Sequence, residues 1–420
     1  MATTGDSRLY RKLKPSQPLF QAYNSSTGTY HDDQIHSITI TRGSDSPEPE
    51  LAVNTCEYVL KGEVTDVVGA RARVNLTAYG ADLVAKMAGN ITASAIQERF
   101  WGRTGIVSVT DRSPTRKQTT IASSGWIAMM KKSNYDPFIS GGMKTGIVVA
   151  RAANFQNVSG ILTATTHGTF DAIVNNTPSD EKRTFEAVAT RYGTDLGLQI
   201  REVPGVRQIQ VWSIQARKDA ITQIAKTAPH LTRSAAISPA THSQTLDMWN
   251  VTRRILTTKA DGSQGYITFT PRADNSFLTV EEVDWSYVRR ETEQISQYAT
   301  AYEYRTLYVT MRPESITVDL LYLLTSPSEH HRHQAGYLLA LQQDDPVFFS
   351  GDWQPYLRGM YIAKQIRETI TPDAWRLELS LWPSEYILGD RMEEIWPKPQ
   401  TWEAAGEMRW SDYTELWNEL

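Results

Sequence analysis

The chain has 420 residues, of which 40% are apolar and 21% are charged, and this composition is that of a globular protein with two to four domains. No apolar run reaches the roughly 18 residues that a membrane span needs, and the first residues lack the apolar core of a secretory signal. Cys56 is the only cysteine, which excludes an intrachain disulfide and a zinc site made of cysteines.

Charge is distributed unevenly along the chain, which has a net charge of −4. Of 43 basic and 47 acidic residues, three basic and seven acidic ones lie from Arg391 onward, so the remaining body has 40 of each sign. A neutral body argues against a nucleic-acid-binding surface as the main purpose of the protein.

The N-terminal third is predicted to be an arm followed by strands. Residues 1–30 are polar and are expected to form an arm, either solvated or laid on a neighbouring subunit. Within the next unit, 31–132, apolar and polar residues alternate most regularly over 70–78, which indicates a half-buried strand. Several such strands separated by turn residues predict a small barrel or sandwich.

A short helix is predicted near the end of this first unit. Trp126, Met129 and Met130 have the i, i+3, i+4 spacing of one helix face, and Ser123 or Ser124 is the expected N-cap.

A small α+β domain is predicted over 133–265, inserted between the strand-rich halves. The apolar residues of 185–192 recur at helical spacing and are followed by Gly193, a common helix stop. A strand over 208–214 and a second helix over 220–228 complete this unit.

Strand character returns over 266–389, the second strand-rich region of the chain. Segment 291–311 fits a helix or a strand, and 320–324 and 338–341 are apolar runs of either type. The region ends in an antiparallel hairpin, because Trp375 begins a strict alternation and Thr371-Pro372-Asp373 is a turn sequence. A two-stranded hairpin is marginal alone, so we expect it to complete a sheet built earlier in the chain.

Tryptophans are concentrated at the C-terminus, over 390–420. Six of the twelve lie beyond residue 370. Burying three tryptophans would stabilise a contact by at most roughly 10 kcal/mol. A chain end seldom carries so much apolar surface unless it docks on another surface. We therefore predict a docking tail, on this chain or on a partner subunit, whose candidate interface residues are Trp396, Trp402, Trp410 and Trp417.

Signals for catalysis, metal binding and cofactor binding are poor. The chain has no H-E-x-x-H, G-x-S-x-G or G-x-G-x-x-G motif. His330, His331 and His333 are the only metal-like cluster, and a solvated loop is the favoured interpretation. Acidic residues such as Glu281, Glu282 and Asp284 are expected to face solvent. No catalytic residue, metal or cofactor is therefore predicted, and the protein is expected not to be an enzyme.

The order of these features resembles a known family. Five segments are similar to parts of the tail hub proteins of long-tailed bacteriophages, which are also called minor tail proteins. They are the strand 36–43, the strand 70–78, the helix at Trp126, the closing segment 368–379 with its T-P-D-x-W turn, and the tryptophan-rich end. The resemblance covers mainly 34–130 and 355–420.

This resemblance implies a mixed, β-rich α+β fold of tail-tube-like β-barrels with a small inserted α+β domain. It implies a structural baseplate or tail-tip hub, a homotrimer that forms a ring below the distal tail ring. Expected partners are the distal tail protein, other tail-tip proteins and the tape measure protein, with DNA only in transit through the lumen. The expected location is the virion tail tip, after assembly in the host cytoplasm.

Two functions of other classes stay open. A tail-associated cell-wall hydrolase would have its active site in the inserted domain. A receptor- or carbohydrate-binding module would use exposed aromatic residues such as Tyr298, Tyr302 and Tyr304.

Overall fold

The structure is a computed structural model, and it describes most of the chain. The described residues are Leu13 and 16–389, without 65–67, 114–115, 136–138, 140, 156–162, 176–182, 246–250, 260, 270–279, 290–292, 308–309, 352 and 354–356.

Strands and helices alternate irregularly along the chain. The strands are β1 (Phe20–Asn24), β2 (Gly28–His31), β3 (Ile35–Gly43), β4 (Thr55–Lys61), β5 (Arg71–Leu76), β6 (Glu98–Ser113), β7 (Arg116–Ser124), β8 (Asn134–Tyr135), β9 (Thr163–His167), β10 (Arg183–Thr184), β11 (Gln199–Val203), β12 (Gln208–Trp212), β13 (Leu231–Thr232), β14 (Ile237–Thr245), β15 (Val251–Thr258), β16 (Gln264–Thr268), β17 (Val280–Arg289), β18 (Thr310–Asp319), β19 (Pro346–Ser350), β20 (Gly359–Thr371) and β21 (Ala374–Pro383). The α-helices are α1 (Ala78–Ala88), α2 (Ala93–Gln97), α3 (Trp126–Met130), α4 (Thr145–Phe155), α5 (Phe185–Tyr192), α6 (Ile214–Ala225), α7 (Glu293–Leu307), α8 (Leu320–Leu324), α9 (Glu329–Ala340) and α10 (Ser384–Leu388).

The largest sheet has thirteen strands and unites both ends of the chain. Its hydrogen-bonded neighbours follow the order β14-β18-β21-β20-β3-β4-β7-β6-β5-β1-β2, with β19 beside β20 and β13 beside β19. The antiparallel pairing of β3 with β20 sets Ile38 opposite Ile370. The apolar residues of this sheet and of helices α1, α2, α8 and α9 form one core drawn from both chain ends.

The predicted closing hairpin is β20 and β21. Thr371 pairs with Ala374, so Pro372 and Asp373 are the two turn residues. The alternating residues behind the turn are fully buried: Trp375, Leu377, Leu379 and Leu381. Because β20 also pairs with β3 and β21 with β18, the hairpin lies inside the sheet. The expectation that it completes a sheet built earlier in the chain is confirmed.

Three smaller sheets lie in the middle of the chain. They have the orders β10-β8, β11-β12-β9 and β16-β15-β17, and two of them contain a parallel pair. Helices α4 and α5 pack with β11 and β12 in a second apolar core. Helix α5 begins and ends as predicted, with Thr184 as N-cap and Gly193 as C-cap. The mixed, strand-rich α+β class is therefore confirmed.

Several local expectations need correction or completion. Part of the predicted N-terminal arm, 1–30, is strand: β1 and most of β2 lie in it, and β1 pairs with β5. The ambiguous segment 291–311 contains helix α7 and then the start of β18, and 320–324 is helix α8. Neither Ser123 nor Ser124 caps α3, because both belong to β7 and Gly125 is the N-cap residue.

The large sheet remains open within the described part of the chain. Its terminal strands β14 and β2 are not hydrogen-bonded to each other there, so the described strands do not close into a barrel. None of the described helices is long and apolar enough to cross a membrane.

Candidate assembly surface and buried polar junction

The four tryptophans predicted as interface residues lie outside the described residues: Trp396, Trp402, Trp410 and Trp417. The point where the tail begins is described. Gly389 follows α10 with φ 64°, and a Cβ there would lie 2.8 Å from the backbone of Gln297 and Ala301 in α7. The last described residue before the tail therefore lies beside α7.

Within the described part of the chain, one strand edge has no partner strand in the distal part of the β6–β7 hairpin, residues 105–113 and 116–118, which we call the hairpin arm. The pairing of β5 with β6 ends at Arg103, and two last backbone hydrogen bonds join Thr104 to Ala70 and to Gly69. Beyond Thr104, β6 pairs only with β7 among the described strands. The other edge of residues 105–113 thus faces no described strand.

Apolar side chains are exposed on the hairpin arm and beside it. Ile106 is 66% exposed and Val109 is 41% exposed. Val68, 68% exposed, lies near the start of this edge because the N–H of Gly69 donates to the carbonyl of Thr104. An unpaired strand edge flanked by exposed apolar residues is a template for pairing with another chain.

A buried ion cluster joins the N-terminal strands to the closing hairpin. Glu368 of β20 accepts hydrogen bonds from Arg99 of β6 at 2.7 and 3.1 Å and from Trp375 Nε1 at 2.8 Å, and Arg42 Nη2 lies 3.7 Å from it. Burial by itself would raise the pKa of Glu368, but Arg99 and Arg42 hold it below its usual value. The carboxylate is therefore ionised in the core.

A second polar group, which we call the junction, joins the middle of the chain to the large sheet. It consists of Arg201, Arg217, Asp344, Asp345 and Lys364. Arg201 Nη1 bonds to Asp345 Oδ1 at 3.0 Å, and Lys364 Nζ lies 3.0 Å from Asp344 Oδ1. Arg201 belongs to β11 and Lys364 to β20, so the two ion pairs tie both strands to the segment 344–345. The charge of Arg217, in α6, acts on the same two carboxylates.

The start of α3 is capped by a distant carboxylate that the sequence did not indicate. Glu202 of β11 accepts the backbone N–H groups of Trp126 at 3.1 Å and of Ile127 at 3.4 Å. Burial raises the pKa of Glu202 to about 7, although the two N–H groups oppose this. Gly125 makes room for the carboxylate, because a Cβ at that position would clash with it.

A surface groove of about 530 Å³ lies between α5 and β17. It is lined by Thr184, Glu186, Ala187, Thr190, Arg191, Asp195, Asp284 and Tyr287. Burial, and next the charge of Glu48, raises the pKa of Asp195 to about 6. Asp284 accepts the backbone N–H of Ser286 at 2.7 Å, while the side chains of Glu281 and Glu282 lie outside the described residues.

The histidine cluster lies in helix α9 rather than in the expected loop. Each ring has a different neighbour: His330 contacts Gln334 at 2.9 Å, His331 contacts Ser326 at 2.9 Å, and His333 lies 3.4 Å from Glu329. The three rings do not converge, and no group of three metal-binding side chains occurs among the residues that the structure describes.

The aromatic residues proposed for sugar binding are largely internal. Tyr298 is 3% exposed and stacks on Trp285 with the ring centroids 5.3 Å apart. Tyr302 packs edge-on against both rings, and Tyr302 and Tyr304 are half-buried. The expectation that these tyrosines are exposed is therefore wrong for Tyr298.

Comparison with known proteins gives structural neighbours alone. No family model matches the chain, and no curated protein matches it. The tail protein from Neisseria meningitidis MC58 is 11% identical in sequence with a TM-score of 0.58, covering 89% of this chain and 98% of that one. The 43 kDa tail protein of prophage MuSo2 from Shewanella oneidensis is 9% identical with a TM-score of 0.54, covering 87% and 97%. The predicted resemblance is confirmed at the level of the fold: this chain has the fold of these two tail proteins.

Proposed function

We propose that the protein is a structural subunit of a phage-type tail, a hub at the tail tip that forms a trimeric ring around the DNA path. The observation that carries this proposal is the likeness to the Neisseria and MuSo2 tail proteins, which spans nearly the whole length of each. Because the likeness is not restricted to one domain, it supports a role for the whole chain.

The open strand edge of the hairpin arm supports self-assembly. An exposed strand edge promotes aggregation unless a neighbour covers it, and rotational symmetry supplies a neighbour for every copy. The tail-tube-like barrels implied by the resemblance would then be completed by strands of neighbouring copies. The nearly neutral body suits a lumen through which DNA passes without binding.

The predicted domain division and partners belong to this proposal. Residues 31–132 and 266–389 would build the ring, 133–265 would project from it as the inserted unit, and the tail 390–420 would dock on a neighbour. The neighbours implied by the resemblance are the distal tail protein, other tail-tip proteins and the tape measure protein. The protein would be made in the host cytoplasm and act in the virion.

The oligomeric state tests the proposal directly. In size-exclusion chromatography with light scattering, we expect a species of three times the chain mass of 47.3 kDa. Replacing Ile106 and Val109 together by Lys should shift the protein from trimer to monomer, because like charges on the hairpin arms of neighbouring copies oppose strand pairing.

The matched control is Val206→Lys, since Val206 is a 56% exposed apolar residue outside the hairpin arm. This variant should keep the wild-type mass. A wild-type protein that stays monomeric at high concentration would contradict the ring.

A cell-wall hydrolase is the second candidate, and the groove between α5 and β17 is the observation that favours it. Three carboxylates line that groove: Glu186, Asp195 and Asp284. A zymogram on host peptidoglycan should show no clearing if the protein has a structural role alone. Clearing that is lost in Asp195→Asn would establish the hydrolase instead. A receptor- or sugar-binding role would be tested by a glycan-binding assay, in which we expect no binding.

A further inference from the structure

Two nitrogens of the buried Arg217 guanidinium have no hydrogen-bonding partner in the described part of the chain. Arg217 is only 4% exposed, and neither its Nε nor its Nη2 has a partner among the described residues. These two N–H groups lie along the same edge of the planar guanidinium, which is the edge that binds both oxygens of a carboxylate or another oxyanion. A whole bidentate donor edge is therefore unoccupied.

The carboxylates of the junction do not fill this edge. Asp344 and Asp345 both interact electrostatically with Arg217, but Asp344 is paired with Lys364 and Asp345 with Arg201. Asp345 thus has a cation of its own, and Asp344 has an ion pair with Lys364 at a geometry that leaves its Oδ1 without a hydrogen bond among the described residues.

Arg305 adds further positive charge to the same place. It is 8% exposed and has an unpartnered Nη2, and its charge acts on Lys364 together with that of Arg217. The side chain of Glu48, whose carbonyl accepts a hydrogen bond from Lys364, is exposed to solvent. Buried positive charge therefore exceeds buried negative charge at the junction.

The position of Arg217 in its helix adds to this excess. It lies four residues after the N-cap Ser213 of α6, and the first turn of that helix contains no acidic residue. The positive end of a helix dipole disfavours a cation and favours an anion. The helix, the unpartnered guanidinium and the excess charge all favour the same kind of ligand.

We propose that the junction is a binding site for a small oxyanion, such as sulfate or phosphate, held by two hydrogen bonds from Nε and Nη2 of Arg217. The bound anion neutralises the excess charge between α6, α7 and β20. It acts as a latch that holds the middle of the chain on the large sheet.

Thermal unfolding of the full-length protein tests the site with sulfate as the probe. Sulfate is titrated against chloride at constant ionic strength, because sulfate also stabilises proteins without binding to a site. Mass action predicts a saturable rise of the melting temperature by about 3 °C at one hundred times the dissociation constant.

Three variants separate the site from general effects. Arg217→Gln should lose the saturable response and keep only the linear one, and in sulfate-free buffer it should melt no lower than the wild type, because an unpartnered buried charge is removed. Arg217→Lys keeps the charge without the bidentate edge and should bind sulfate more weakly. Arg151→Gln, a change at an exposed arginine of α4, should respond as the wild type does.

Equilibrium dialysis of the wild-type protein with radiolabelled sulfate gives a readout that no variant's folding affects. We expect one sulfate per chain. The proposal is overturned by an absence of binding at millimolar sulfate, by an unchanged saturable response in Arg217→Gln, or by an equal loss of stability of that variant in every buffer.

Discussion

The carboxylate of Glu202 caps helix α3 from a strand that lies some 75 residues further along the chain. A cap from Ser123 or Ser124 was expected because N-caps are most often local. A carboxylate contributed by a distant strand leaves no signal in the helix sequence. The nearest trace is Gly125, which is needed because any larger side chain would meet Glu202.

Replacing Glu202 by Gln should remove a pH dependence of stability. The pKa of Glu202 is raised from 4.5 to about 7 by burial. The unfolded chain therefore ionises this group as pH rises past 4.5 while the folded chain does not, and the free energy of unfolding falls by about 3 kcal/mol up to pH 7. Glu202→Gln should be more stable than the wild type at pH 8 and comparable to it at pH 4.5.

Urea unfolding at the two pH values measures this effect. Glu186→Gln is the control, since Glu186 has a side chain that is 49% exposed and pairs with Lys131. A wild type and a Glu202→Gln variant whose stabilities change in parallel with pH would refute the assignment.

Replacing Glu368 by Gln should be among the most destabilising single changes in the chain. The substitution leaves the buried cations Arg99 and Arg42 without a counter-charge, and such a loss typically costs about 3–5 kcal/mol. The urea midpoint of Glu368→Gln should fall strongly. The midpoint of Glu378→Gln, in which a 52% exposed carboxylate near Arg367 is changed, should hardly move. Equal effects of the two substitutions would be inconsistent with the buried cluster.

At the scale of elements, β20 departs from regular alternation at Lys364. The register of β20 against β21 shifts between Ala363 and Gln365, and this bulge accompanies the burial of Lys364, which is 3% exposed. The sequence shows Lys364 as an interruption of an apolar face. The structure explains it by the ion pair with Asp344.

Gly43 at the end of β3 lies against this bulge. Its φ is 84°, and a Cβ there would clash with the carbonyl of Lys364. Gly43→Ala should therefore destabilise the protein by about 2 kcal/mol or more, through both backbone strain and overlap. Gly62, with φ 100° and open space around it, isolates the backbone contribution. The melting temperature should fall much less in Gly62→Ala than in Gly43→Ala. An equal fall in both variants would exclude the close approach of Gly43 to the carbonyl of Lys364.

Elements with strict periodicity were predictable, while those fixed by distant contacts were not. Strand β21, strand β5 and helix α5 follow from alternation or helical spacing over single segments. The sequence favours a solvated loop for the histidines of α9, because neighbouring histidines seldom converge on one ion, yet they lie in a helix that Ser328 caps. The junction and the Glu368 cluster combine residues more than 100 positions apart, and a charged residue inside an apolar pattern is the only local sign of either.

On the scale of the whole molecule, the C-terminal tail is predicted to matter for assembly and not for folding. The last described strand of the large sheet ends at Pro383, so deleting residues 400–420 should leave the melting temperature nearly unchanged. Removing Trp402, Trp410 and Trp417 should weaken attachment to a neighbouring tail protein. Pull-down of that neighbour and the yield of assembled tails measure the loss. Normal assembly of the truncated protein would refute the docking role.

The pairing of β3 with β20 has a consequence for biosynthesis. Strand β3 emerges from the ribosome early, but the strand that fills its open side ends at Thr371. Contacts this distant in sequence form late and slowly, and an edge left uncovered during that time invites misassembly. A ribosome that stops before Thr371 therefore releases a chain in which one edge of β3 is still uncovered.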